Sequence, residues 1–105
     1  MGKINSRAKG ARFERKVAEW LRDYGWEARR GQQFSGGADS PDVVAPEFPW
    51  HIEAKAVERL DLYSAMTQAI RDAGDKMPCV VHKKNHSEPY VTMKFHDLLK
   101  WMEEG

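Results

Sequence analysis

Apolar residues recur along this chain in two periods, and the switches between them mark the elements. Phe13, Val17, Trp20, Leu21 and Tyr24 follow helical spacing. They predict a first helix from a cap at Asn5 or Ser6 to about Tyr24, stopped by Gly25. Arg12, Arg15, Lys16, Glu19, Arg22 and Asp23 fall on its far side. Glu14 falls at the edge of the apolar stripe, where it could lean over a neighbouring sheet. Trp26 to Arg30 alternates and reads as a short strand. Gly31 to Ser40 is a ten-residue loop whose glycines permit positive φ and close approach of another molecule.

Val43 to Ala45 and Trp50 to Lys55 read as two strands, separated by the turn Pro46-Glu47-Phe48-Pro49. A symmetric closure sets Ala45 across from Trp50, Val44 from His51, Val43 from Ile52 and Asp42 from Glu53. One side of the ribbon then carries Val43, Ala45, Trp50, Ile52 and Ala54, and the other carries Asp42, Glu53 and Lys55. Directly opposed carboxylates stand roughly 5 Å apart, where repulsion is about 3 kcal/mol at an effective dielectric near 20. A shared proton, a lysine or a divalent cation has to offset this, and the cation is the expectation taken forward. Pro-Asp and Glu-x-Lys are each common by chance, so the apolar register that opposes the two acids carries the weight.

Farther on, Asp61 caps a predicted helix from Leu62 to Ala73, closed by Gly74, with Leu62, Met66, Ala69, Ile70 and Ala73 on one face. Gln68 lies at the border of that face beside Ala65 and is kept as a site candidate. Pro78 to His82 is a fourth strand, and a crossover through the second helix sets it parallel to the third. A polar loop to Pro89, a strand from Tyr90 to Met93 and a helix from Phe95 to Met102 complete the order. In that last helix Leu98, Leu99 and Met102 are expected to face inward.

The 105 residues suit a single domain, 1–105, with residues 1–5 a flexible basic lead-in. Apolar content of 41% argues for a folded chain. Net charge is only +1, yet residues 1–30 hold nine Lys/Arg against four Asp/Glu, which suits phosphate contacts. A solvated helix face explains the same excess more simply. Cys79 has no partner for an internal disulfide, and its apolar neighbours imply a buried strand residue. No apolar run reaches membrane-spanning length and no apolar leader is present, so a cytoplasmic place in the host cell is expected, with no membrane partner. His51, His82 and His86 match no zinc spacing.

The order of helix, three strands, helix and strand, together with Pro41-Asp42 and Glu53-Ala54-Lys55, resembles the PD-(D/E)xK nuclease superfamily. Lys9-Gly10 followed by Phe13-Glu14-Arg15, and Ser35-Gly36 before the Pro-Asp strand, are similar to archaeal-type Holliday junction resolvases and their phage relatives. The resemblance covers about residues 7 to 95. It implies an α/β, restriction-endonuclease-like core (α-β-β-β-α-β) with a mixed central sheet flanked by helices, plus a C-terminal strand and helix. It further implies that Asp42 and Glu53 bind metal, that Glu14 joins the site from the first helix, that Lys55 is the catalytic lysine and that Ser35 contacts the scissile region. Gln68 is similar to a glutamine of other branches of the superfamily.

Asp42, Glu53 and the Ala54 carbonyl are hard oxygen donors suited to Mg²⁺, with Mn²⁺ able to substitute, and Glu14 reaches the metal through water. Lys55 lies on Glu53's face, two residues on, within reach of an attacking water. Lys9, Arg12, Arg15, Arg29, Arg30, Lys83 and Lys84, with Gln33 and Ser35 from the loop, form the expected DNA-binding set. No helix-turn-helix or zinc finger is present, so recognition by DNA shape is expected rather than base reading. The expected function is a Mg²⁺-dependent structure-selective DNA endonuclease, foremost a Holliday junction resolvase acting as a homodimer, because a two-fold junction needs two active sites. A flap, nick or general duplex endonuclease, a catalytically silent nucleic-acid-binding module and a scaffold with merely superficial acids are the rivals.

Overall fold

The computed structural model describes residues 6–31 and 42–104. The elements are α1 (Ser6–Asp23), β1 (Arg29–Arg30), β2 (Val43–Val44), β3 (Trp50–Lys55), α2 (Leu62–Asp72), β4 (Met77–His82), β5 (Tyr90–Met93) and α3 (Phe95–Glu104). Their order and type follow the sequence pattern, and the two longest strands agree with it to within a residue. The loop with Gln33 and Ser35, Pro41 and the lead-in lie outside the described residues.

α1 ends as its sequence predicts. Gly25, at φ +97°, donates its N–H to the Arg22 carbonyl, while the Trp26 N–H reaches Leu21. These two bonds satisfy carbonyls that the last helical turn leaves open, and the positive φ suits a residue without Cβ. At the start of α2, Asp61 accepts from the Ser64 N–H at 3.1 Å and the Ser64 hydroxyl at 2.7 Å. α2 carries the chain from β3 back to β4, which runs parallel to it with Glu53 beside Val80 and Ile52 beside Cys79. β5 returns antiparallel to β4, giving the sheet order β3-β4-β5.

Both faces of β3 are covered. Trp50, Ile52, Ala54 and Cys79 pack with Phe13, Val17 and Ala18 of α1 in the main core. Val80 packs with Ala65 and Ala69 of α2 in a second, smaller core. Glu53, the register partner of Val80, therefore lies on the α2 side. A strand covered on both faces usually reads as continuously apolar. β3 instead buries His51 and Glu53 as well, with Glu53 only 2% exposed.

Two expectations are corrected. β2 does not ladder with β3: it pairs antiparallel with β1, Arg29 opposite Val44 and Arg30 opposite Val43. The turn explains this, because the Ala45 carbonyl accepts from the Phe48 N–H at 3.1 Å and the Lys76 ammonium at 2.9 Å. That carbonyl is taken by the turn and by Lys76 and is not given to the Trp50 N–H, and the two turn prolines bring no N–H of their own. The apolar face nevertheless holds, since Val43, Ala45, Trp50, Ile52 and Ala54 are all buried. The second correction concerns α3, which has no buried residue and leaves Leu99 and Met102 exposed. Trp101 meets Trp50 edge-on at 6.3 Å and Leu98 is half-buried, while Phe95, Leu99 and Met102 of the same helix are exposed.

Candidate active site

Asp42 stands immediately before β2, and Glu53 and Lys55 stand on β3. In place of a ladder rung, the Ala54 N–H donates to Asp42 Oδ2 at 2.8 Å. This buried, charge-assisted bond locks the Asp42 carboxylate against the backbone of β3. Lys55 Nζ lies 3.3 Å from Glu53 Oε2. The contact is an ion pair without hydrogen-bond geometry, and it leaves Oε2 buried with no hydrogen bond among the described residues. The acids thus come together as the pattern predicts, held by a side-chain-to-backbone clamp instead of strand pairing.

Burial first, and then the Asp42 charge, push Glu53 up to about 7, with Lys55 opposing. A carboxyl group in this state is poised to exchange its proton for another cation near neutral pH. Glu14, on α1, is also buried and its pKa is raised, chiefly by desolvation. Its Oε1 accepts from Arg30 Nε at 2.7 Å, and it feels the charges of both Asp42 and Lys55. The β1–β2 pairing sets Arg30 there, next to Val43. The sequence pattern marked Arg30 only as a phosphate contact. Its spacing of sixteen residues from Glu14 gives no local signal of the pair.

Among the described residues no three His, Cys, Asp or Glu side chains form a ready-made metal cage. Asp42, Glu53 and the Ala54 carbonyl still suit Mg²⁺, which commonly keeps several waters and takes one or two carboxylates. Glu53 Oε2, buried beside the Lys55 ammonium but with no hydrogen bond among the described residues, is the observation that favours such a guest.

Gln68 is half-buried on α2, the helix over Glu53's side of the sheet. Lys9, Arg12, Arg15 and Lys83, joined by Lys16, line one open cavity of about 660 Å³. Arg29 and Lys84 are exposed. Ser35 and Gln33 lie outside the described residues. Cys79 is 2% exposed and burial pushes its thiol up to about 12, as befits a core residue. His82 Nε2 pairs with Thr92 Oγ1 at 2.9 Å, and His51 is buried with its pKa lowered, chiefly by desolvation.

The sequence model of a family described as "Phage putative PDDEXK endonuclease" matches residues 5–104. No curated protein matches the chain. Among solved structures, the Holliday junction resolvase Hjc of Archaeoglobus fulgidus, an archaeal hyperthermophile, is similar at 25% identity and a TM-score of 0.59. That likeness covers 81% of this chain and 72% of the resolvase. The shared arrangement is the mixed α/β, restriction-endonuclease-like fold described above.

Proposed function

The chain belongs to the phage PDDEXK endonuclease family, and from that membership we propose that it is a divalent-metal-dependent, structure-selective DNA endonuclease, foremost a Holliday junction resolvase. The observation that carries the chemistry is the Asp42 and Glu53 pair, clamped by the Ala54 N–H and flanked by the Lys55 ammonium. Asp42, Glu53 and the Ala54 carbonyl would hold Mg²⁺, or Mn²⁺ in its place. A cation there supplies Lewis-acid polarisation of the phosphate and a more acidic water.

The chain's own residues do the rest. Lys55 holds positive charge where the pentacoordinate phosphate gathers negative charge, and orients the water that attacks. Glu14, fixed by Arg30, is placed to accept a hydrogen bond from a water at the rim of the site. Asp42, fixed by the Ala54 N–H, keeps its oxygens from turning away when DNA arrives. Ser35 and Gln33 are proposed to touch the DNA near the cut, and Gln68 to support the site from α2. Arg29 and Lys84 add charge outside the groove.

The junction reading is supported by the likeness to a resolvase. The homodimer is supported by the apolar side chains that one copy leaves open, Phe95, Leu99 and Met102 on α3 and Tyr90 and Val91 on β5. β5 is also the edge of its sheet. A dimer gives two sites for two symmetric cuts.

The test is cleavage of labelled four-way junction, flap, nicked and linear duplex, in Mg²⁺ and in EDTA, beside Asp42→Asn and Glu53→Gln. Paired nicks confined to the junction, lost in EDTA and in both variants, are expected. Equal cutting of every substrate would replace the resolvase with a general nuclease. Tight junction binding with no cutting under any metal would replace the enzyme with a binding module.

A further inference from the structure

Between α1 and the β4–β5 loop runs a groove whose lining includes the cations Lys9, Arg12, Arg15, Lys16 and Lys83, with Glu19 as a lining acid. Ala56, the residue after Lys55, also lines it, and the Lys83 N–H donates to the Lys55 carbonyl at 3.1 Å. The groove therefore begins where the candidate active site ends. Two of its lining groups already hold an anion. Glu58, from the β3–α2 loop, accepts a short hydrogen bond from the Asn85 N–H and lies 3.9 Å from Lys9 Nζ.

An ammonium and a backbone N–H are among the donors that proteins present to phosphate oxygens. A carboxylate satisfies the same pair with similar charge and shorter reach. The loop that offers the N–H is built to stay in place. Ser87 Oγ accepts from the Lys84 N–H at 3.0 Å, and Lys83 Nζ donates to the Lys84 and Ser87 carbonyls at 3.0 and 3.3 Å. Glu58 itself is half-exposed, so its pairing is weak and exchangeable.

We propose that this groove seats DNA backbone beyond the cut phosphate, and that Glu58 occupies a phosphate position in the free protein and is displaced when DNA enters. The inference rests on the DNA-endonuclease reading and adds to it an internal competitor. Glu58 lowers affinity for any backbone that cannot fill the whole groove, and so favours a substrate that can.

The experiment is fluorescence anisotropy with labelled four-way junction and linear duplex, in EDTA so that nothing is cut, at low salt. Glu58→Gln is compared with the intact chain, each with and without Lys9→Ala. Glu58→Gln should tighten binding by about threefold to tenfold, an effect that fades as salt rises. In the Lys9→Ala background the gain should shrink to about twofold or less, because the competed group is gone. An equal gain in both backgrounds overturns the displacement and leaves only long-range repulsion. Weaker or unchanged binding by Glu58→Gln overturns it as well, making Glu58 a strut for the loop, while the DNA reading survives. Absence of DNA binding by every variant overturns both.

Discussion

The middle of β3 and the outer face of α3 break the usual partition of side chains in opposite directions. β3 buries Glu53 and His51, with Asp42 clamped alongside, in a region where apolar residues would fold more stably. α3 leaves Phe95, Leu99 and Met102 in solvent at 68%, 45% and 64% exposure. Buried acids without full hydrogen bonding cost stability, and a contiguous exposed apolar face costs solubility. On the proposed function each departure answers to something outside the chain: a cation and DNA at β3, a second copy at α3. The difference is that β3's burden is carried in every folded molecule, whereas α3's face would bear on association rather than folding.

The sharpest test of the β3 half removes one charge and watches two quantities move in opposite directions. Glu53→Gln should lower cleavage by a factor on the order of 10³ or more, since the oxygen pair that would bind metal is broken. The same substitution should raise stability at pH 8 by about 1–3 kcal/mol, because a neutral amide relieves both desolvation and repulsion from Asp42. Lys55→Ala should follow, with a loss of roughly 10²–10³ in rate. It should destabilise the fold at pH 8, since the Lys55 charge favours ionised Glu53. Denaturant melts beside single-turnover cleavage read all of this, and a Glu53→Gln chain that loses both activity and stability breaks the comparison.

Proton linkage makes the same point through the pH dependence of stability. Glu53 holds its proton up to about 7 when folded, against the usual 4.5. Between these values the folded chain binds the extra proton, so this group's contribution to stability falls as pH rises through that window. At about 1.4 kcal/mol per pKa unit, the fall is on the order of 3–4 kcal/mol. His51 is shifted down by burial and has the opposite sign, losing stability as pH falls below its ordinary 6.5. Subtracting Glu53→Gln from the intact chain, pH by pH, cancels the histidine. The difference should be small near pH 5 and grow toward pH 8. Mg²⁺ should narrow it at pH 8, because ligand binding to the folded state stabilises it. A flat difference across the range means the two acids do not share their cost.

Element order, the β3–β4 crossover and the meeting of Asp42, Glu53 and Lys55 were legible from spacing. Period two over Trp50 to Lys55 decides which side chains share a face, whatever the strand pairs with. That is why the site survives although the β2–β3 ladder does not form. What stayed illegible depends on groups distant in sequence. Lys76 takes the Ala45 carbonyl from 31 residues away, Arg30 finds Glu14 across sixteen, and Glu58 meets Asn85 across 27. None of these leaves a periodic trace. α3 misled for the converse reason: its stripe is as amphipathic as that of a core helix, and a stripe states that a face is apolar without naming what covers it.

The smallest expected effect is therefore on α3, and it is informative because the same chemistry is large elsewhere. Ile52→Ala, at a position 3% exposed in β3, should cost about 2–5 kcal/mol by opening a cavity in the main core. Leu99→Ser removes an aliphatic side chain of comparable volume, yet at 45% exposure it should cost a single copy only about 0.5 kcal/mol. Its consequence should appear in assembly: sedimentation at rising concentration should show the intact chain passing to a dimer and Leu99→Ser remaining monomeric. Pairing Leu99→Ser with Met102→Ser should strengthen the separation without a further large loss in the monomer's melt. If Leu99→Ser instead unfolds the chain as Ile52→Ala does, α3 is held by its own body after all. The contrast between a strand that buries charge and a helix that exposes apolar surface would then reduce to the strand alone.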